Sequence, residues 1–521
     1  MNADDKPTNK SLFPPNYRAS GLLLHVTSLP GPYGIGDLGP VAFTWIDRLR
    51  EAGQSWWQAL PLGPTGYGNS PYQSLSSFVG NWLLISPRVL IDEGLLGENL
   101  TLPRLRDDVV DYDAVIPFKL DLLRRVVASF QSQANRELKS AFDSFCDQQS
   151  HWLEDYALFR ALKARFEGAH YLQWPTDIVE RRPSSLARAR QELASEVEQV
   201  RLVEFLLFRQ GEKLKDYAHA QGIRLIGDLP FFVSPDSADV WAHPEFFQLD
   251  ECCRPKFVGG VPPDYFSADG QLWGNPVYDW EALRQSGYRW WIDRVRALLA
   301  HVDLIRLDHF RGFSAAWHVP AGSTTARAGQ WVVGPGAEFF SAMLSEFGRL
   351  PFIAEDLGII TQDVRALRDQ FQIPGTRVLQ FAFDGDSANP YLPHNYPTNC
   401  VMYTGTHDNN TTRGWFEDLP PAQQQQIWNY VQEPAAGSEE AVRSLLRLAW
   451  SSAAALALAP LQDVLGLGAE ARMNVPGRAE GNWRWRATEK MLSPHNFDWL
   501  SDLTLATHRV VRNPLLVLAE R

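Results

Sequence analysis

Cysteine is scarce in this sequence. Its 521 residues include only four cysteines, Cys146, Cys252, Cys253 and Cys400. Two of these are adjacent, and adjacent cysteines rarely form a disulfide bond with each other. None of them belongs to a CxxC pair, and four are too few for a disulfide framework. We interpret all four as structural or incidental residues.

An excess of positive charge is also lacking. The chain has 49 Lys and Arg against 61 Asp and Glu, which gives a formal net charge of −12. Proteins that bind nucleic acid take most of their nonspecific affinity from basic side chains that neutralise phosphates. The acidic balance therefore argues against DNA or RNA as the main partner.

Long hydrophobic runs and sequence repeats are absent as well. No apolar stretch is long enough to span a bilayer, so we predict no membrane partner. The opening residues, MNADDKPTNK, carry two acids and no apolar segment of the kind found in secretory signals, which predicts a cytoplasmic protein. No period of about 20 to 50 residues recurs, which excludes solenoids and propellers.

Aromatic residues, in contrast, are plentiful. The sequence has 28 Phe, 19 Trp and 15 Tyr, which together make up 12% of the chain. Large flat side chains either fill a core or form platforms for ligands with a flat apolar face, and sugar rings are one such ligand.

Strand-like and helix-like segments alternate along the whole chain. Strands separated by helices favour a parallel sheet, and eight of them favour closure into a (β/α)₈ TIM barrel. We therefore predict a single catalytic α/β barrel over residues 1–521, with no separate carboxyl-terminal β domain. The eight short apolar runs span residues 21–26, 55–62, 223–233, 302–310, 351–357, 377–383, 400–408 and, more weakly, 456–463.

Two segments are too long to be simple connections between strands. The stretch between the second and third runs contains several helical periods, so we predict one or more inserted helical subdomains over residues 63–220. Residues 234–278 are predicted to form a lid, because segments of that length inside compact domains are usually functional. Within the lid, residues 257–278 are rich in Gly, Pro and aromatics and are expected to be irregular.

A GxGxxG pattern at Gly34, Gly36 and Gly39 resembles a dinucleotide-binding motif but lacks its context. Seven residues, two of them proline, separate the motif from the preceding strand, whereas the dinucleotide fold needs a tight strand-to-helix turn. No acid ends the next strand, where the ribose would bind. The chain also lacks GxxxxGK[ST], HExxH and GxSxG. We predict no nicotinamide and no other cofactor.

Acidic residues close most of the predicted strands. In a barrel the carboxyl ends of the strands form one mouth, so these acids are expected to lie close together. An oxygen-rich ring of this kind suits either a Mg²⁺ or Ca²⁺ ion or a glycosyl-transfer reaction. The acids are Asp228, Asp308, Glu355 with its neighbour Asp356, Asp408 and, on the weakest run, Asp463.

Arg306 favours glycosyl transfer over a metal site. Side chains alternate along a strand, so Arg306 and Asp308 share a face. A guanidinium there keeps Asp308 ionised and occupies the space that a cation would need. Glycoside chemistry needs one carboxylate as nucleophile and one carboxylic acid as proton donor. Glu355 suits the donor role, because its stem is longer and an apolar strand end raises its pKa. Spacing alone does not decide between Glu355 and Asp356.

Three motifs carry a specific resemblance. RLDHFRGF at 306–313, AEDLG at 354–358 and TGTHDN at 404–409 closely resemble the core motifs of the 4-alpha-glucanotransferases, the amylomaltase or disproportionating-enzyme family, glycoside hydrolase family 77. The likeness extends to SLPGPYGIGDLG at 28–39, PLGPTGYGNSPYQS at 61–74, GVPPDYFS at 260–267 and RMNVPG at 472–477. It also accounts for the glycines of the GxGxxG pattern.

The resemblance implies a function and a set of site residues. The implied enzyme is a 4-alpha-glucanotransferase (EC 2.4.1.25) that uses maltooligosaccharides or α-1,4-glucans as donor and acceptor, in a retaining double displacement. Asp308 would be the nucleophile, Glu355 the acid and base, and Asp408 the transition-state stabiliser. The implied substrate-binding residues are Arg306, His309 and His407 on the donor sugar, Ser70, Tyr72, Asp228 and Asp384 near it, and Tyr265, Phe266, Gln271 and Trp273 on the aromatic segment that closes over the glucan.

Two other functions stay open from the sequence. An α-amylase-like retaining hydrolase would use the same carboxylates but pass the glycosyl unit to water. A noncatalytic glucan-binding protein would use the aromatic residues without any chemistry.

Overall fold

The computed structural model describes residues 10–263, 267–478 and 480–511. Its strands are β1 (Ala19–Leu23), β2 (Trp56–Gln58), β3 (Arg224–Leu229), β4 (Phe257–Val261), β5 (Gln271–Pro276), β6 (Leu304–Leu307), β7 (Ala315–Pro320), β8 (Gln330–Val333), β9 (Phe352–Ala354), β10 (Gly375–Val378), β11 (Cys400–Tyr403) and β12 (Leu456–Pro460).

The helices in chain order are α1 (Pro40–Glu51), α2 (Pro87–Asp92), α3 (Tyr112–Gln133), α4 (Arg136–Gln148), α5 (Ser150–Arg165), α6 (Thr176–Val179), α7 (Pro183–Glu192), α8 (Ala194–Ala220), α9 (Ala238–Ala242), α10 (Trp280–Gln285), α11 (Arg289–Leu299), α12 (Gly336–Phe347), α13 (Gln362–Gln370), α14 (Thr412–Asp418), α15 (Pro421–Val431), α16 (Ser438–Ser451), α17 (Leu461–Val464) and α18 (Asp498–Ala506). Across the residues that the structure describes, no helix has both the length and the apolar character needed to cross a lipid bilayer.

Eight parallel strands close into a barrel. Around the barrel the order is β1, β2, β3, β6, β9, β10, β11 and β12, so each strand pairs with the next barrel strand along the chain and β12 pairs with β1. Each of the eight predicted runs overlaps one of these strands. The predicted (β/α)₈ TIM barrel is therefore confirmed.

Alternation along the strands divides the core into an inner and an outer part. Ile226, Leu304, Ile353, Tyr403 and Leu458 belong to one buried cluster, which fills the barrel interior. Their neighbours along the strands pack instead in the large cluster shared with the surrounding helices. Because successive side chains point to opposite faces, the inward positions continue from Ile226, Leu304 and Ile353 to residues 228, 306, 308 and 355.

Gly21 allows one bulky side chain to fill the barrel. It pairs with Trp56 on β2, and a Cβ at Gly21 would lie only 2.2 Å from the Trp56 carbonyl oxygen. Trp56 is fully buried, and its indole Nε1–H donates to the Tyr17 hydroxyl at 2.9 Å. Any larger residue at position 21 would push β1 and β2 apart.

The two long segments differ in structure. Between β2 and β3 the chain forms α2 to α8, and we retain the prediction that residues 63–220 make up an inserted helical subdomain. The expectation that residues 257–278 are irregular was wrong, because β4 and β5 lie there. They join β7 and β8 in an antiparallel sheet of order β5, β4, β7, β8. The Gly259–Gly260 pair hid this strand from sequence reasoning, since glycine is depleted in strands.

Candidate active site

The acids at the carboxyl ends of the strands meet in the mouth of the barrel. Asp228 lies on β3, Asp308 follows β6 directly, and Glu355 follows β9. All three occupy inward positions of the alternation. Asp408 lies in the loop after β11, five residues beyond the end of that strand.

Arg306 joins two of these acids. It faces Asp228 across the β3–β6 ladder and lies two residues before Asp308. Its Nη1 is 2.6 Å from Oδ2 of Asp228 and 3.3 Å from Oδ1 of Asp308. The Asp228 side chain is fully buried, whereas that of Asp308 is 29% exposed. Of the two carboxylates that Arg306 contacts, Asp308 is therefore the one that a bound molecule can reach.

The Glu355 carboxyl is held by an unusual backbone conformation. His309 adopts a left-handed φ of 49°, which is uncommon for a residue with a side chain. The His309 backbone N–H donates to Oε2 of Glu355 at 2.8 Å. The strained residue thus fixes the position of Glu355 beside Asp308, as is typical of functional sites.

Burial separates the pKa values of the two reachable acids. Desolvation raises the pKa of Glu355 to about 8, with Arg306 opposing the rise and Asp308 adding to it. Desolvation raises the pKa of Asp308 to about 6, with Arg306 opposing the rise and Asp228 and Asp408 adding to it. At neutral pH Asp308 is therefore mostly ionised and Glu355 mostly protonated, which is the division of roles that an acid and a nucleophile need.

Asp408 is positioned by a segment that sequence reasoning left without a role. The side-chain Nδ2 of Asn474 donates to Oδ1 of Asp408 at 2.6 Å, and Arg472 donates to the Asp408 backbone oxygen at 2.6 Å. The Asn474 backbone N–H donates to the His407 oxygen at 3.1 Å. Both residues belong to the RMNVPG motif. The motif was visible in the sequence, but nothing in it indicated contact with Asp408.

Tyr72 links Asp228 to His407. Its hydroxyl donates to Oδ2 of Asp228 at 2.9 Å and lies 3.0 Å from Nε2 of His407. Because the tyrosine proton goes to Asp228, the second contact requires His407 to carry its proton on Nε2. The Tyr72 ring stacks on His407 at 5.3 Å and lies 5.8 Å from Trp483. Ser70 accepts the Tyr72 backbone N–H at 3.2 Å and so orients this turn.

His25 is a site residue that the sequence reasoning missed. It lies two residues after β1 and lines one small cavity together with His407 and Asn409. Burial, together with His407, lowers the pKa of His25 to about 3, so the ring stays neutral. Its position two residues after the end of β1 was the signal available in the sequence.

One described residue of the predicted aromatic lid, Trp273, contacts His309 beside the acids. Trp273 packs edge-on against His309 at 4.9 Å, and its Nε1–H donates to Oε1 of Gln271 at 3.1 Å. Tyr265 and Phe266 lie outside the described residues. Asp384 is exposed and accepts the backbone N–H of Asp386 at 3.0 Å. None of its contacts with described residues joins it to the acidic cluster.

The remaining strand-end acids are held away from the mouth by other partners. Asp356 contacts Arg368 and accepts the Thr376 backbone N–H at 2.7 Å. Asp463 accepts the hydroxyls of Thr404 and Thr412, both at 2.6 Å. Both acids therefore act as hydrogen-bonding groups of the fold. Over the residues whose placement is described, no three His, Cys, Asp or Glu side chains are grouped to hold a metal ion.

Comparison with known proteins agrees with this geometry. A family model described as 4-alpha-glucanotransferase matches residues 24–492. A 4-alpha-glucanotransferase of Synechocystis is 50% identical over 489 residues, which cover 93% of this chain and 96% of the relative. The Thermus thermophilus 4-alpha-glucanotransferase is 48% identical over 498 residues, which cover 95% of this chain and 99% of the relative.

A solved structure extends the similarity to the fold. The amylomaltase of Streptococcus agalactiae, determined in complex with acarbose, superposes with a TM-score of 0.91 at 36% sequence identity. The match covers 94% of this chain and 99% of that one. The family model and these relatives span nearly the whole chain, and the chain therefore belongs to the 4-alpha-glucanotransferase family.

Proposed function

We propose that this protein transfers segments of α-1,4-glucans between maltooligosaccharides, by a retaining double displacement through a glycosyl-Asp308 intermediate. The observation that carries the proposal is that Asp308, which is 29% exposed and contacts Arg306, shares the mouth with Glu355, whose pKa is raised more strongly by burial. Membership of the 4-alpha-glucanotransferase family and the acarbose bound to the Streptococcus agalactiae amylomaltase support a glucan as substrate.

In the first half-reaction Asp308 attacks the anomeric carbon of the donor. A carboxylate oxygen of Asp308 forms a bond to that carbon as the glycosidic C–O bond breaks. Glu355 gives its proton to the departing 4-oxygen, so the shortened glucan leaves as a neutral alcohol. The contact of Arg306 with Asp308 favours the ionised form of the nucleophile before the attack.

In the second half-reaction an acceptor glucan replaces the departed one. Glu355, now ionised, takes the proton of the acceptor 4-hydroxyl, and that oxygen attacks the anomeric carbon. The bond to Asp308 breaks, and both carboxyl groups return to their starting forms. Two inversions at one carbon give net retention of the α configuration.

The other residues stabilise charge and hold the donor. Asp408 is 45% exposed and is fixed by Asn474, so it can face the positive charge that develops on the sugar without accepting a proton. Tyr72 and His407 lie beside it as candidate donors to sugar hydroxyls. We assign Trp273 and, as predictions from sequence, Tyr265, Phe266 and Asp384 to glucan binding.

Incubation with maltotriose tests the proposal. A transferase converts two molecules of maltotriose into glucose and maltopentaose, so longer oligomers form while the total of reducing ends stays constant. An increase in reducing ends would support the α-amylase-like hydrolase instead. Binding of maltotriose with no conversion would support a noncatalytic glucan-binding protein. Chromatography of the products together with a reducing-end assay separates the three results.

The pH dependence of kcat/KM should be bell-shaped, with a maximum near pH 7. Activity needs ionised Asp308, so it falls as the pH drops below about 6, where this acid takes up a proton. Activity also needs protonated Glu355, so it falls as the pH rises above about 8. The two limbs report apparent pKa values of the interacting pair. A profile that stays flat from pH 5 to 9 would contradict the assignment.

We further propose a cytoplasmic location. It is supported by the four free cysteines, Cys146, Cys252, Cys253 and Cys400, because free thiols persist in reducing compartments. We also propose that residues 234–278 act as the lid over the glucan, supported by the contact of Trp273 with His309.

A further inference from the structure

A second cavity lies away from the catalytic acids, between the helices that precede β3 and the barrel helix α11. Its volume is about 180 Å³, which is below the roughly 300–1,000 Å³ of sites for drug-sized ligands, so only a small molecule would fit. The cavity is bounded by the turn between α4 and α5, by α8, by α11 and by the loop at Phe78 and Gly80. None of the catalytic acids or proposed sugar-binding residues lines it.

Aromatic side chains form much of its wall. Phe78, Phe145, Trp152 and Phe208 all line the cavity. The Phe78 and Trp152 rings stack with their centroids 6.3 Å apart. Aromatic rings near a cation can stabilise it after it has lost part of its water.

Glu204, on α8, places a carboxyl group in this aromatic surrounding. Glu204 is only 4% exposed. Among the described residues no Lys, Arg or His lies within 4.0 Å of its carboxyl oxygens. Burial raises the pKa of Glu204 to about 8, although the Gly80 backbone amide and the more distant Arg160 favour the charged form. A buried carboxyl without a cationic partner is costly to ionise.

The other charges of the cavity are already paired. Asp293 contacts both Arg289 and Arg296, and Arg296 also contacts Glu346. His301 packs its ring close to Gly211, and burial lowers its pKa to about 4, so it is neutral. Glu204 is therefore the one acidic residue of the described cavity wall with no cationic side chain beside it, and its raised pKa of about 8 keeps it mostly protonated at neutral pH.

We propose that this cavity binds a small organic ammonium ion, with its alkyl groups against the aromatic side chains and its charge beside Glu204. The cation supplies the counter-charge that the protein does not. An anion is disfavoured by Glu204, and a divalent metal would need several oxygen ligands, whereas Glu204 is the single unpaired carboxyl here. A neutral sugar would leave Glu204 protonated, whereas a cation favours its ionised form.

Calorimetric titration of the full chain with choline chloride tests the proposal, with sodium chloride at matched ionic strength as the blank. We expect saturable binding of one choline per chain. The neutral isostere 3,3-dimethylbutan-1-ol should bind at least tenfold more weakly, because it has the same shape without the charge. Equal binding of the two compounds would show an apolar cavity only, and saturable binding of glucose but not of choline would show a sugar site. Either result overturns the proposal.

Three variants locate the binding. Glu204→Gln keeps the shape of the side chain and should weaken choline binding at least tenfold. Glu198→Gln removes an exposed acid from the same helix and should leave the affinity unchanged. Ala300→Phe fills the cavity from the end of α11 and should abolish binding with Glu204 intact, which covers the case in which the Glu204 variant does not fold. Unchanged binding in both Glu204→Gln and Ala300→Phe would overturn the proposal, as would no saturable binding by the unmodified chain.

The affinity should also rise with pH. Choline has no titratable charge, so the pH dependence reports the protein. Because only ionised Glu204 pairs with the ligand, the affinity should increase roughly fifty-fold from pH 6 to pH 8 and then level off. Of the nearby histidines, burial lowers the pKa of His301 to about 4 and also lowers the pKa of His151, which reduces their contribution to the pH dependence. The remaining groups that face it are Tyr156 and Arg160 from α5 and Asp293 and Arg296 from α11. A flat pH dependence would contradict the role of Glu204.

Discussion

Replacing Asp308 with asparagine is expected to lower kcat/KM for maltotriose disproportionation by about 10⁴-fold or more, the scale on which loss of a nucleophile acts. The amide has nearly the same shape as the carboxylate but carries no charge and is a poor nucleophile. Arg306 also loses one of its two carboxylate partners, although its 2.6 Å contact with Asp228 remains. The loss should appear in kcat, because the covalent step itself is removed.

Stability measurements separate this effect from unfolding. Burial raises the pKa of Asp308 in the folded chain to about 6, so the ionised carboxylate opposes folding at neutral pH. Removing its charge should therefore leave the melting temperature unchanged or higher at pH 7. Asp121→Asn on the exposed face of α3 is the matched control. It should change neither kcat/KM nor the melting temperature. Full activity in the Asp308 variant would exclude a glycosyl-Asp308 intermediate.

Much of the mouth follows from local patterns in the sequence. Apolar runs that end in an acid marked β3, β6 and β9, and the period of two along a strand predicted that Arg306 and Asp308 share a face. The structure places them 3.3 Å apart. Such inferences work because a barrel strand fixes the direction of its side chains, and its carboxyl end lies at the mouth of the barrel.

Contacts between distant loops could not be predicted in this way. Asn474 and Asp408 are 66 residues apart, and the Asn474 segment lies outside regular secondary structure, so no periodicity indicates its direction. Tyr72 is 335 residues from His407 in the sequence, and their contact depends on how the loop after β2 folds over the mouth. The motif at 61–74 identified Tyr72 only through family resemblance.

The aromatic content illustrates a second limit. Composition alone left two uses open, and the structure shows which rings are buried and which lie near the mouth. Trp45, Trp56, Trp241, Trp291 and Trp450 are fully buried and fill the core, whereas Trp273 reaches His309 at the mouth. The distinction depends on tertiary packing, which the residue type does not determine.

Replacing Glu355 with glutamine should separate the two half-reactions. On maltotriose the loss in kcat is expected to be about 10² to 10⁴-fold, because the leaving glucan needs a proton that glutamine does not supply. Fluoride leaves without that help, so α-maltosyl fluoride should still react with Asp308. Transfer to a second glucan then stalls, because no base takes the acceptor proton. Mass spectrometry of the intact chain should show one added maltosyl group, located on Asp308 by peptide mapping.

Azide distinguishes the assigned roles of the two acids. It attacks without needing a base, so it should release the trapped maltosyl group and restore turnover of the fluoride in the Glu355→Gln variant. Displacement from Asp308 inverts the anomeric centre a second time and gives α-maltosyl azide. If Glu355 were the nucleophile, azide would displace fluoride directly and give the β anomer. In the Glu355→Gln variant, with the fluoride as donor and azide as acceptor, the alkaline limb of the pH profile should also disappear, because that limb reports the loss of the Glu355 proton near pH 8.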